Sequence, residues 1–141
     1  LAATLEGRSL ADAAGFSPDL RRVLYATAVG HYEAGRHDEA LPVAHQLVLL
    51  ANREQDHWAL LGNVCKALGN FRDALGCWQV AMTLEPRFST AMQVVRLATA
   101  LKDRGAAAEA MLVARATTLS DGHTAELENA CEAWYRLPAE T

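Results

Sequence analysis

Histidines and cysteines, the side chains best suited to proton transfer, nucleophilic attack or zinc binding near neutral pH, are few here and widely spaced. Five histidines stand at 31, 37, 45, 57 and 123, and three cysteines at 65, 77 and 131. A zinc site needs such ligands in closely spaced pairs, or as HExxH along one helical face, and neither spacing occurs. His31 and His37 straddle what reads as a turn, where solvation or partial packing is their expected fate. Glycines are not arranged as GxGxxG or GxxxxGK[ST], so no phosphate cradle is expected. Cys65 and Cys77 are expected on opposing helices as small buried hydrophobes rather than as a redox pair. An odd number of cysteines without CxxC suits reduced, cytosolic thiols. No catalytic residue, metal or cofactor is therefore expected, and what remains is binding chemistry. Tyr25, Val29 and Tyr32 recur at i, i+4, i+7, one stripe along a helix. Asn63 offers a donor and an acceptor to a peptide backbone, and Lys66 and Lys102 can donate to its carbonyls.

The elements that hold these residues are helices. The chain has 141 residues, with 17 acidic and 13 basic side chains for a net charge of −4. That length suits a single domain of roughly 100–150 residues. An acidic excess argues against nucleic acid as a partner, since a basic patch is its footprint. No apolar run approaches the roughly 20 residues of a membrane span, so no stable membrane insertion is expected. The opening LAATLEGRS lacks a basic stretch leading into an apolar one, so no secretion signal is read and the cytoplasm is the expected compartment. Prolines fall only at 18, 42, 86 and 138, separated by stretches rich in Ala and Leu, which favour helix. Ser17-Pro18-Asp19 reads as an N-cap, an N1 proline and an acidic first turn, starting a helix that runs to about Ala34. Ser9 starts a short helix ending at Gly15. Pro42 lies near the start of a helix beginning around Asp38, where it costs a backbone bond.

A repeat organises the middle. HYEAGRHDEALPVA, from His31, aligns with CKALGNFRDALGCW, from Cys65, and Gly35 and Gly69 are 34 residues apart. A third copy, LKDRGAAAEAMLVA from Leu101, puts Gly105 36 residues after Gly69, which implies two extra residues in the link. Thirty-four residues is the tetratricopeptide length, one helical hairpin per repeat. Trp58, Leu61, Gly62, Gly69, Phe71, Ala74, Ala81 and Pro86 fit that pattern in the second copy. Gly62 and Ala74 let two helices approach closely, while Trp58, Leu61 and Trp78 fill the wedge between them. In the third copy Ala98, Ala114 and Thr117 replace larger residues. Leu127, Ala130, Cys131, Trp134 and Tyr135 give a last helix one apolar face, as a solenoid cap needs. The expected fold is all-α: a right-handed superhelix of three tetratricopeptide hairpins with an N-terminal helix and a C-terminal capping helix. As a single domain over residues 1–141, it divides into an N-terminal helix (1–20), repeats at 21–54, 55–88 and 91–124, and a cap at 124–137.

In such arrays the first helix of each hairpin lines a concave side. Those faces carry Tyr25, Val29 and Tyr32 from repeat one, Ala59, Asn63 and Lys66 from repeat two, and Val95, Thr99 and Lys102 from repeat three. Apolar side chains on a concave wall suggest a partner. The same stripe would equally serve as hairpin core, Tyr32 above all; the repeat register is what favours the open face. A tetratricopeptide clamp for a C-terminal carboxylate is excluded, because its positions hold Tyr25, Val29, Leu60, Met92 and Arg96, and only the last matches.

GRSLADAAGFSPDLRRVLYATAVGHYEAGRHDEAL, residues 7–41, resembles the opening of class II chaperones of bacterial type III secretion. That family has a Gly-x-Ser-Leu start, then Leu-Tyr-x-x-Ala and a second Tyr before the repeat glycine, as Leu24-Tyr25 and Tyr32-x-x-Gly35 reproduce. The likeness continues through WALLGNVCKALGNFRDAL and covers roughly Gly7 to Ala116. It implies a bacterial cytosolic chaperone that keeps hydrophobic translocator proteins soluble until export, holding an extended Pro-x-Leu-x-x-Pro segment in its groove. By position it puts aromatic pockets at Tyr25 and Tyr32, with Val29 where relatives often have an aromatic. It also implies a homodimer through N-terminal helices, around Leu10, Ala14 and Phe16. The alternative is a generic tetratricopeptide adaptor for another protein partner.

Overall fold

A computed structural model describes residues 17–138. The short helix expected from Ser9, and the dimer contacts expected at Leu10, Ala14 and Phe16, lie outside the described residues. Within them are seven helices: α1 (Pro18–Glu33), α2 (His37–Leu50), α3 (Gln55–Ala67), α4 (Phe71–Leu84), α5 (Phe88–Ala100), α6 (Arg104–Ala116) and α7 (Asp121–Tyr135). Two compact units partition the described residues, 17–84 and 85–138.

Local chemistry explains the helix ends. Ser17 Oγ accepts from the backbone N–H of Asp19 at 3.2 Å and of Leu20 at 3.5 Å, with Pro18 at the first helical position, so two orphan donors are satisfied. α1, α3 and α5 all end in the same turn. The N–H of Gly35, Gly69 and Lys102 donates to the carbonyl three residues back (Tyr32, Lys66, Thr99), at 3.0–3.1 Å. The N–H of Arg36, Asn70 and Asp103 reaches five residues back (His31, Cys65, Ala98), at 2.8 Å each. This double bond pattern is the Schellman motif, whose closing residue adopts a left-handed conformation; φ is +79° at Gly35, +83° at Gly69 and +62° at Lys102.

That geometry corrects the third repeat. Lys102, not Gly105, closes its hairpin, so no residues are inserted in the link. Gly105 sits in the first turn of α6, where Asp103 caps the helix by accepting from Ala106 N–H at 3.1 Å. Lacking another glycine there, the sequence comparison slid three residues onto Gly105. Pro42 is accommodated inside α2 at an exposed position, where it has no N–H to give the Asp38 carbonyl.

The first unit packs hairpins α1–α2 and α3–α4. Ala28, Ala40, Leu47, Leu60 and Val64 form its buried centre. In the second hairpin the Trp78 ring lies directly on Gly62, and a Cβ there would come within 2.4 Å of Nε1. The indole N–H donates to the Ala59 carbonyl at 3.2 Å, which satisfies the one polar atom of a buried ring. Trp58 Nε1 donates to the Asn52 carbonyl at 2.8 Å, pinning the α2–α3 link.

The second unit pairs α5 with α6 through small residues, with Ala91, Ala98, Ala107, Ala110 and Ala114 fully buried. α7 closes it. The Phe88 and His123 rings stack at 3.8 Å, and Leu127 is buried. The Arg104 guanidinium stands 4.1 Å over the Trp134 ring and donates to the carbonyls of Trp134 (3.2 Å) and Leu137 (3.0 Å), while Trp134 Nε1 donates back to the Arg104 carbonyl at 3.1 Å. A cation thus meets the orphan carbonyls and negative end of α7. Tyr135, expected on the packed face, is exposed.

Two substitutions test this packing by thermal unfolding. Gly62→Ala forces a methyl into the Trp78 ring and costs about 1–3 kcal/mol, more than the helix propensity it gains. Lys102→Gly relieves a left-handed non-glycine residue that costs roughly 1–2 kcal/mol. Part of that returns through the freer unfolded chain, leaving a net gain of up to about 1 kcal/mol.

Candidate functional site

The three Schellman turns define equivalent positions on α1, α3 and α5. Ten residues before the turn stand Tyr25, Ala59 and Met92; six before it, Val29, Asn63 and Arg96; three before it, Tyr32, Lys66 and Thr99.

In the first unit, α1 and α3 lie side by side and these residues are gathered on one face. Tyr25, Val29 and Tyr32 are half-buried, their backs packed on the Ala28–Leu47–Val64 centre. The stripe therefore combines both readings: its inner edges are core, its outer edges are open to a ligand. Tyr25 sits 5.6 Å from the His57 ring and Tyr32 5.3 Å from the His37 ring, contacts that limit how far either phenol can swing. Beside them Ala59 and Asn63 are half-buried and Lys66 is exposed. The Lys66 ammonium rests 5.9 Å over the Trp78 ring, which anchors its stem.

Two expected wall residues of the third hairpin are misplaced. Val95 is 1% exposed, one of the fully buried side chains of the second unit. Lys102 belongs to the turn itself. Both errors follow from the three-residue slip, and Thr99 alone keeps its place on α5, half-buried. The equivalent positions belong to Met92, which is buried, and Arg96, which is exposed. Asp103, with its capping signature directly after Leu101-Lys102, is the signal that could have corrected the register.

His57 joins the site as well. It is buried where α1 meets α3, on a pocket of about 180 Å³ lined by Arg21, Arg22, Tyr25, Glu54 and Asp56 as well. Its Nδ1 lies 3.2 Å from the Ala51 carbonyl, which can only accept, so Nδ1 carries the proton and Nε2 a lone pair. Arg21 reaches Glu54 at 3.9 Å across the mouth. Burial holds the His57 pKa below the ordinary 6.5; the Ala51 bond and the Glu54 carboxylate push it back up, and Arg21 adds to the lowering.

A second cleft of about 610 Å³ opens among α2, α3 and α4, lined by Leu49, Trp58, Val80 and both Cys65 and Cys77. These two thiols are neighbours on opposing helices. Burial, then the neighbouring Cys65, pushes Cys77 up to about 12, and burial raises Cys65 too. Neither is a thiolate at neutral pH, so neither is a nucleophile. Among the described residues, no group of three or more His, Cys, Asp or Glu is placed to hold a metal ion. No helix among them is long and apolar enough to cross a membrane.

Solved structures share this architecture. A chain from a type III secretion system complex of Aeromonas hydrophila aligns with a TM-score of 0.77 at 24% identity, over 96% of this chain and 92% of that one. The Yersinia enterocolitica type III secretion chaperone SycD, in complex with a peptide of the translocator YopD, aligns with a TM-score of 0.74 at 16% identity, over 84% and 95%. PcrH of Pseudomonas aeruginosa, in complex with the chaperone binding region of PopB, aligns with a TM-score of 0.70 at 23% identity, over 84% and 98%. No family model matches the chain, and no curated protein does. The chain thus has the all-α, tetratricopeptide-like fold of the type III secretion translocator chaperones.

The buried histidine makes stability depend on pH. Because its pKa is lower folded than unfolded, the unfolded chain binds more protons below pH 6.5, so its contribution is full above that pH and lost as pH falls. The unfolding midpoint of His57→Gln therefore declines less steeply between pH 7 and pH 5 than the parent's; equal slopes would count against this origin.

Proposed function

We propose that this chain is a bacterial cytosolic chaperone. Its client is a hydrophobic translocator protein of a type III secretion system. An extended segment of that client lies along the open face of α1 and α3, which keeps it soluble and competent for export. The observation that carries the reading is the half-buried stripe of Tyr25, Val29 and Tyr32, flanked by Asn63 and Lys66. It stands on a fold whose solved neighbours include chaperones bound to translocator segments. Rings already braced from behind by core and by histidines lose little freedom when a ligand covers their outer edges, which favours them as anchors. Asn63 and Lys66 serve the backbone of the segment, one through a donor and an acceptor, the other through an ammonium. Ala59 leaves room for a client side chain between them. No proton or electron needs to move; the work is burial of client surface that would otherwise aggregate.

Dimerisation around Leu10, Ala14 and Phe16 belongs to the same reading and rests on the family resemblance. Client release then follows from dissociation alone, at a rate set by the few anchors.

Titration calorimetry with a Pro-x-Leu-x-x-Pro peptide tests the assignment. Losing one anchor costs about 2 kcal/mol or more at such interfaces. Tyr32→Ala is accordingly expected to weaken binding by at least tenfold with helicity intact, measured well below its unfolding midpoint. Equal affinities would remove the stripe from the binding face, and equal binding of unrelated peptides would favour a general adaptor.

A further inference from the structure

We propose that the open groove between α6 and α7 seats an amphipathic helix of a partner protein, one that presents a basic side chain to Glu128 and Glu132. The groove lies wholly within the second unit, and its assignment is independent of the client-binding reading above.

α3, α5 and α7 start at Gln55, Phe88 and Asp121, 33 residues apart each time. α7 therefore keeps the register of a fourth first helix, and no second helix follows it among the described residues. On α3, contacts fix which residues meet the second helix of the hairpin. The Trp78 ring lies on Gly62, its N–H reaches the Ala59 carbonyl, and Cys65 neighbours Cys77. Gly62 and Cys65 are accordingly buried, as are their counterparts Val95 and Ala98 on α5. On α7 the counterparts are Glu128, which is exposed, and Cys131, which is half-buried. A solenoid end normally turns a polar face to water; here the seat of a helix is left open.

That seat is a groove of about 530 Å³, lined by Leu127, Cys131, Tyr135, Arg115 and the two glutamates. Cys131 Sγ donates to Met111 Sδ on α6 at 3.3 Å, which joins the two walls. Leu112 follows Lys102 by ten residues, as His45 follows Gly35, and His45 lines the cleft of the first unit. Leu112 and Tyr135 are both exposed. Large apolar side chains beside an open trough suit the stripe of an amphipathic helix. Charge then selects among such helices. Glu128 holds the register position of the glycine that receives Trp78, and Glu132 follows one turn on, on the same face. A helix settling there covers two carboxylates, which favours a Lys or Arg in its central turn. The α7 of a second copy is a poor occupant. Its exposed charged residues are Asp121, Glu128, Glu132 and Arg136, three acids to one base, and like charges facing across an interface cost affinity.

Two synthetic peptides test this by titration of the full chain. Each is an alanine-based helix with leucines at i, i+3, i+4 and i+7, and beside that stripe one carries a central Lys, the other a central Glu. The parent is expected to bind the lysine peptide at least fivefold tighter at low salt, a preference that shrinks as salt screens it. Glu128→Lys combined with Glu132→Lys inverts the order. General attraction to a chain of net charge −4 would only vanish in that variant, not invert. Both residues are exposed, and circular dichroism checks that helicity is retained. Equal affinities of the two peptides for the parent, no inversion in the double variant, or binding of neither peptide overturns the proposal. A concentration-dependent dimer of the parent that Tyr135→Ser disperses, read by sedimentation, would give the groove to a second copy and overturn it as well.

Discussion

One left-handed residue closes each of the three hairpins, and the positions of the remaining side chains follow from it. The two hydrogen bonds of each Schellman turn fix where the first helix stops and the second begins. Side chains counted back from the turn therefore hold the same register on the first helix of each hairpin. Glycine takes that conformation freely at 35 and 69, and the third hairpin takes it with a lysine. A lysine held at φ +62° shows how strongly the surrounding helices impose the turn. By the same count Arg96 holds on α5 the register position that Val29 holds on α1 and Asn63 on α3.

Packing holds that register. In the second hairpin a glycine faces a tryptophan, and the missing side chain of Gly62 is the space the indole fills. In the third, alanines on both helices do the same work with less volume, which is why that repeat looks so unlike the others in sequence. α7 then covers what the alanines leave, fastened at one end by Phe88 on His123 and at the other by the reciprocal bonds of Arg104 and Trp134. The paired thiols are absorbed into this packing: burial keeps Cys65 and Cys77 protonated.

Much of this was legible in the sequence. The helical class, the cap at Ser17, the start of α1 at Pro18 and the approach at Gly62 each have a local cause that residue types announce. Two hairpins could be placed because glycine marks their turns. The third could not, because a turn residue was inferred from its usual identity rather than from the capping aspartate beside it, and Val95 and Lys102 were carried three positions out of place. The placement of His57 against Tyr25 depends on α1 and α3 meeting, which no local pattern encodes. The reciprocal bonds of Arg104 and Trp134 join residues 30 positions apart and were likewise invisible.

In the function proposed, the tyrosine-bearing face of α1 and α3 takes the client, rather than the roomier cleft among α2, α3 and α4. Backbone amide NMR of the isotopically labelled chain, titrated with a translocator segment, separates these most directly. Shifts concentrated at residues 25–32 and 59–66 are expected. Shifts confined to the residues around Leu49, Cys77 and Val80, with the tyrosine helix undisturbed, would contradict it.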